Sequence, residues 1–119
     1  MSDRKTLVAD LKNAVRNFVH KRDWEKYHDP KDIAESICIE AAELLQLFQW
    51  IKPEESEQFK NNSGKVQRIK EELADVILYC LSMANTLDID LASAVLDKIE
   101  QNKKKYPANL YKGKAHLTQ

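Results

Sequence analysis

IAESICIEAAELLQLFQW, residues 33–50, decides the fold. Its apolar residues recur every three or four positions rather than every second one, so the segment is an amphipathic helix and not a strand. At about 100° per residue, with Ile33 as zero, Ile37 lies near 40°, Leu44 near 20° and Ile51 near 0°. On the same count Glu40 falls near about −20°, in the middle of the apolar stripe. Glu43 lies at the stripe's edge, near about −80°, on a neighbouring part of the same surface. Two carboxylates therefore converge on a seam that should be apolar.

Working outward, Asp29-Pro30 supplies an N-cap followed by proline at the first helical position, so this helix starts there and ends near residues 50–53. Before it, residues 3–22 carry Leu7, Leu11, Ala14, Val15, Phe18 and Val19 on one face, a first amphipathic helix, and DWEKYHD (residues 23–29) breaks the pattern. After it comes a polar connection, residues 54–64. A third helix covers about residues 65–87, with Ile69, Leu73, Val76, Ile77, Cys80, Ala84 and Leu87 as its stripe. Residues 88–90 form a joint, and a fourth helix runs from Leu91 to about Lys105, ahead of Pro107, which cannot continue it. The remainder, from about residue 108, reads as an irregular tail.

Composition agrees with this pattern. Two glycines and three prolines in 119 residues are too few for the turns of a sheet protein, and 43% hydrophobic residues suffice for one core, so the chain is expected to be one all-α domain over residues 1–119. The longest uncharged runs, residues 44–51 and 76–87, fall well short of the ~20 residues that cross a bilayer. The opening MSDRKTLVADLKN has charges where a secretory signal needs apolar residues, and a cytosolic location is expected. Nineteen basic and nineteen acidic residues give zero net charge, which offers no electrostatic footprint for a nucleic-acid polymer or an acidic membrane. Cys38 and Cys80 stand far apart with no paired cysteine or histidine, and read as small buried hydrophobes.

The third helix repeats the acidic spacing. With Ile69 as zero, Glu72 falls near about −60°, Tyr79 near −80° and Asp75 near −120°, all on one flank of the stripe. A buried unpaired carboxylate is costly, so two such pairs call for a cation, a metal or a raised pKa. Four carboxylates without sulfur or imidazole are hard oxygen ligands suited to Mg²⁺ or Mn²⁺. His20, His28 and His116 follow neither pair, which disfavours a di-iron site. On the fourth helix, Lys98, Asn102 and Lys105 continue the line of Leu91 and Val95, so its far end should face a polar site such as phosphate oxygens.

These residues resemble a family. Glu40 and Glu43, followed about thirty residues later by Glu72 and Asp75, look like the metal signature of the MazG-like nucleoside triphosphate pyrophosphohydrolases. RDWEKYHDP (22–30), ELLQLFQW (43–50), EELADVILY (71–79) and NKKKYP (102–107) sharpen the match, which covers residues 18–111 and is most similar to the dCTP pyrophosphatase subgroup. The resemblance implies an all-α, four-helix MazG-like bundle that is oligomeric, a homodimer or homotetramer with sites lined by more than one chain. It implies Mg²⁺-dependent hydrolysis of nucleoside triphosphates, dCTP or modified pyrimidine nucleotides, to the monophosphate and pyrophosphate.

Residue by residue, the resemblance implies Glu40, Glu43, Glu72 and Asp75 as metal ligands, with Glu43 or Glu72 taking a proton from the attacking water. It makes Trp24 and Trp50 walls of a base pocket, His28 a substrate contact and Tyr79 a floor beneath the sugar. Lys98, Asn102, Lys105 and Tyr106 match positions near the phosphates or sugar. The competing class is a non-catalytic helical interaction module whose acidic pairs are surface charges.

Overall fold

The computed structural model describes residues 1–115, and among them every regular element is helical. His116 and the end of the expected tail lie outside the described residues. Four long helices occupy the four expected positions: α1 (Val8–Lys21), α2 (Pro30–Gln46), α4 (Ser63–Thr86) and α5 (Leu91–Lys105), with short α3 (Pro53–Glu57) and α6 (Ala108–Tyr111) between and after them.

The helix ends follow local chemistry. Helix α1 starts later than its apolar period suggests, because Asp10 Oδ2 accepts the Leu7 backbone N–H at 2.9 Å and fixes the start there. Asp29 Oδ1 caps α2 by accepting the Asp32 N–H at 3.0 Å, and Asn62 Oδ1 caps α4 by accepting that of Lys65 at 3.1 Å. Helix α2 stops at Gln46, short of the expected end near residue 50. The Leu47, Phe48 and Gln49 N–H groups tighten to carbonyls three residues back, and Trp50 then adopts φ +65°. The stretch expected to be a plain connection contains α3 and a 3₁₀ turn, Gln58–Asn61, anchored by Phe59, which is buried and stacks on Phe48 at 5.3 Å.

The chain divides into two compact units, Met1–Ile89 and Asp90–Gln119. In the first, α4 packs along both α2 and α1. Val15, Ile33, Phe59, Leu81 and Ala84 form its buried core. Arg16 Nη2 donates to Asn85 Oδ1 at 2.9 Å, Asn85 Nδ2 to the Lys12 carbonyl at 2.9 Å, and Lys12 Nζ to the Ile89 carbonyl at 2.7 Å. These bonds pin α1 against the C-terminal end of α4. In the second unit, Asp90 caps α5 by accepting the Ser93 N–H at 2.9 Å. The expected irregular tail opens instead with the single turn of α6, whose Tyr111 meets the Tyr106 ring edge-on at 5.2 Å. No single helix among the described residues is long and apolar enough to cross a membrane.

Candidate active site

The middle of the α2 stripe faces α4, so Glu40 and Glu72 are carried into the seam between the two helices. Carboxylate oxygens of Glu40, Glu43 and Glu72 all lie within 4.8 Å of one another. Glu40 and Glu72 are half-buried, and each turns one oxygen, Oε2, into the seam with no hydrogen-bond partner among the described residues. Glu43 is exposed and Asp75 half-buried.

Clustered negative charge and loss of water act together on this group. Burial, the neighbouring Glu43, and the charges of Asp75 and Glu72 push the Glu40 carboxyl from 4.5 up to about 7. Glu72 is raised as well, first by burial and then by Glu43 and Asp75, with Arg68 opposing. Orphaned buried oxygens and an all-oxygen donor set fit a hard divalent cation, which would supply both missing partners and neutralise the repulsion. Glu40, Glu43 and Glu72 make up this group, and Asp75 acts on it electrostatically.

A cleft of about 480 Å³ opens beside the cluster. Helix α1 provides one apolar wall with Ala14, Val15, Phe18 and Val19, and the opposite side carries Leu78, Tyr79 and Ser82 of α4. Trp24 and His28 come from the segment linking α1 to α2, while Glu40 and Asp75 belong to the same lining. The Trp24 ring meets Phe18 edge-on at 5.8 Å, and the Arg22 guanidinium lies 3.8 Å from the centre of the Phe18 ring. His28 stacks on Tyr79 with 6.4 Å between ring centres, its Nδ1 donating to the Trp24 carbonyl at 2.7 Å.

Of the residues singled out in the sequence, the structure therefore gathers Trp24, His28, Tyr79, Glu40 and Asp75 around one cleft, with Glu43 and Glu72 beside Glu40. Trp50 is not brought there: it stands 91% exposed beyond the end of α2. Lys98, Asn102 and Lys105 share an exposed face of α5 in the second unit, where Lys105 Nζ lies 5.3 Å from the centre of the Tyr106 ring. The sequence reading passed over Ser82, and it treated Phe18 and Val15 only as core. Their helical spacing with Ala14 on α1, and that of Ser82 with Asp75 and Tyr79 on α4, was the available signal. Cys38 is exposed, against the expected burial, because it points off the α2 stripe; Cys80 is half-buried.

Comparison with known proteins points to one family. A family model described as MazG-like matches residues 35–115. Bovine (Bos taurus) dCTP pyrophosphatase 1 is 33% identical over 108 residues, which are 91% of this chain and 64% of the bovine protein. The human (Homo sapiens) dCTP pyrophosphatase 1 is 33% identical over 103 residues, 87% of this chain and 61% of its own length. The chain thus spans somewhat under two thirds of these relatives. A crystal structure of a pyrophosphatase from Archaeoglobus fulgidus superposes with a TM-score of 0.77 at 37% identity, covering 90% of this chain and 98% of the other. With a family model that matches residues 35–115, well over half of its length, the chain belongs to the MazG-like family.

Proposed function

We propose that the chain is an enzyme that hydrolyses nucleoside triphosphates, with dCTP or modified pyrimidine deoxynucleotides as substrates, to the monophosphate and pyrophosphate. The observation that carries this reading is that Glu40 and Asp75 belong both to the acidic group and to the lining of the aromatic cleft. A ligand seated in the cleft by its base would present its phosphates to the carboxylates. The names of the bovine, human and archaeal relatives support the same chemistry.

In this reading Glu40, Glu43, Glu72 and Asp75 hold Mg²⁺, with Mn²⁺ as a substitute. The bound cation supplies positive charge to the phosphate oxygens, which otherwise would be repelled by the four carboxylates. Glu43 or Glu72 takes the proton of the attacking water. Trp24 and Tyr79 stack against base and sugar, and the bond from His28 to the Trp24 carbonyl keeps these walls in place. Lys98, Asn102, Lys105 and Tyr106 bind phosphate or sugar oxygens.

The same reading takes the protein as a homodimer or homotetramer. Large apolar side chains left exposed on α2 and α4, among them Leu45, Leu73 and Ile77, support this. So does Trp50: an indole held at positive φ and 91% exposed packs little against the described residues, which suits a wall lent to a neighbouring copy's cleft.

The reading is tested by incubating the purified protein with a panel of natural and 5-substituted nucleotides, with and without Mg²⁺. Metal-dependent pyrophosphate release, fastest with cytosine nucleotides, is the expected result. A protein that binds no nucleotide and releases no pyrophosphate would instead be a non-catalytic helical interaction module.

A further inference from the structure

Helix α1 supplies one side of the cleft, yet a second cavity lies beside it. Val15, Val19, His28 and Ser82 line both the cleft and this further space of about 530 Å³. Its other α1 residues, Arg16, Asn17 and His20, lie on the flank of the helix turned away from Ala14 and Phe18. The α1–α4 seam between the two spaces is therefore thin. Apolar contact has no direction, so a thin seam of valines does not by itself fix where α1 stands along and away from α4.

Direction comes from Asn85. It is half-buried, three residues past Ser82 on the same face of α4, and does not itself line the cleft. Its side-chain oxygen accepts from Arg16 Nη2 at 2.9 Å, and its nitrogen donates to the Lys12 carbonyl at 2.9 Å. One planar amide thus grips two points a single turn apart on α1, which resists both sliding and rotation of that helix. Arg16 is itself held, its Nη1 donating to Asn13 Oδ1 at 3.0 Å. Among the described residues no other side-chain hydrogen bond joins α1 to α4.

We infer that Asn85, together with Arg16, is a positioning residue that sets the register of the α1 wall against α4 and thereby the width of the slot that receives the nucleotide. The inference rests on the nucleotide reading of the cleft. Neither side chain needs to touch the substrate for this. Glu40, Glu43 and Glu72 sit on α2 and α4, so loosening α1 leaves the acidic group in place. Substrate affinity and the response to a cation are then separable, whereas a general loss of folding damages both.

The test measures dCTP kinetics with Mg²⁺, and the Mg²⁺-induced rise in melting temperature, on the parent, Asn85→Ala, Arg16→Ala and the double variant. Asn85→Ala should raise KM about tenfold and Arg16→Ala about threefold, each with kcat within about twofold of the parent and the parental response to Mg²⁺. The double variant should be no worse than Asn85→Ala alone, because both changes remove one shared contact. Arg16 is exposed, so its replacement leaves the fold intact even where that of Asn85 does not. The hold on α1 is also read without substrate: amide exchange along α1 should be about tenfold faster in Asn85→Ala than in the parent. Parental KM in both single variants, a KM rise that comes with loss of the Mg²⁺ response in both, effects that simply multiply, or unchanged exchange along α1 overturns the inference. A parent that hydrolyses no nucleotide overturns the nucleotide reading beneath it.

Discussion

Glu40 of α2 and Glu72 of α4 each turn one carboxylate oxygen into the seam between their helices, and neither oxygen has a hydrogen-bond partner among the described residues. Two acidic groups sharing a partly desolvated space strain the fold that holds them, and this relationship makes the site testable without any substrate.

Mg²⁺ or Mn²⁺ should raise the melting temperature of chelator-treated protein. In Glu40→Gln and Glu72→Gln proteins the metal-free melting temperature should rise, because repulsion is relieved, while the response to metal should disappear. Calorimetry checks both. Variants that respond to the cation as the parent does would remove these residues from the ligand set.

The pH dependence has a definite sign. Glu40 titrates at about 7 in the folded chain against 4.5 for an ordinary glutamate, so the folded state holds the proton more tightly than the unfolded one. Its contribution to stability is full below 4.5 and is lost as pH rises through about 7. Metal-free protein should therefore melt at lower temperature at pH 8 than at pH 5, and Mg²⁺ affinity should rise over the same interval as the competing proton leaves. Melting curves without metal that do not change between these values would contradict the crowding of the carboxylates.

Trp24 lines the cleft at 42% exposure, whereas Trp50 is 91% exposed and outside it. A non-hydrolysable dCTP analogue with Mg²⁺ should quench the Trp24 emission of a Trp50→Phe protein. Trp24→Ala should raise KM by roughly tenfold or more, since stacking on an indole is worth ~1–3 kcal/mol per base. Unchanged emission and KM would make Trp24 a packing residue only.

Light scattering at micromolar concentration should give a multiple of 13.8 kDa. Ile77→Asp or Leu45→Glu should shift it toward that value if these exposed apolar side chains are the buried surface of the assembly. A parent mass of 13.8 kDa would remove the assembly from the proposed function.

Much of this was legible in the sequence because helices announce themselves locally. The Asp29-Pro30 cap, the stripe from Ile33 to Leu44 and the break at Pro107 each act within one or two turns of chain, and each marks a boundary in the structure. Glu40 was legible for the same reason, as a charge at an apolar position of a clear period. The short helical turns of residues 53–61 were not, because their single apolar anchor, Phe59, makes sense only once Phe48 is stacked against it. Nor was the cleft wall. Val15, Phe18 and Ser82 obey ordinary helical spacing, and what makes them lining residues is the pairing of α1 with α4, a tertiary fact that periodicity does not contain.

The most direct measurement is the identity of the products. Purified protein, dCTP and Mg²⁺, followed by ³¹P resonance, should yield dCMP and pyrophosphate in equal amounts, with no turnover in chelator and none by Glu40→Gln. Formation of dCDP with inorganic phosphate, or dCTP that stays intact in the presence of Mg²⁺, would contradict the assignment of this site to pyrophosphohydrolysis.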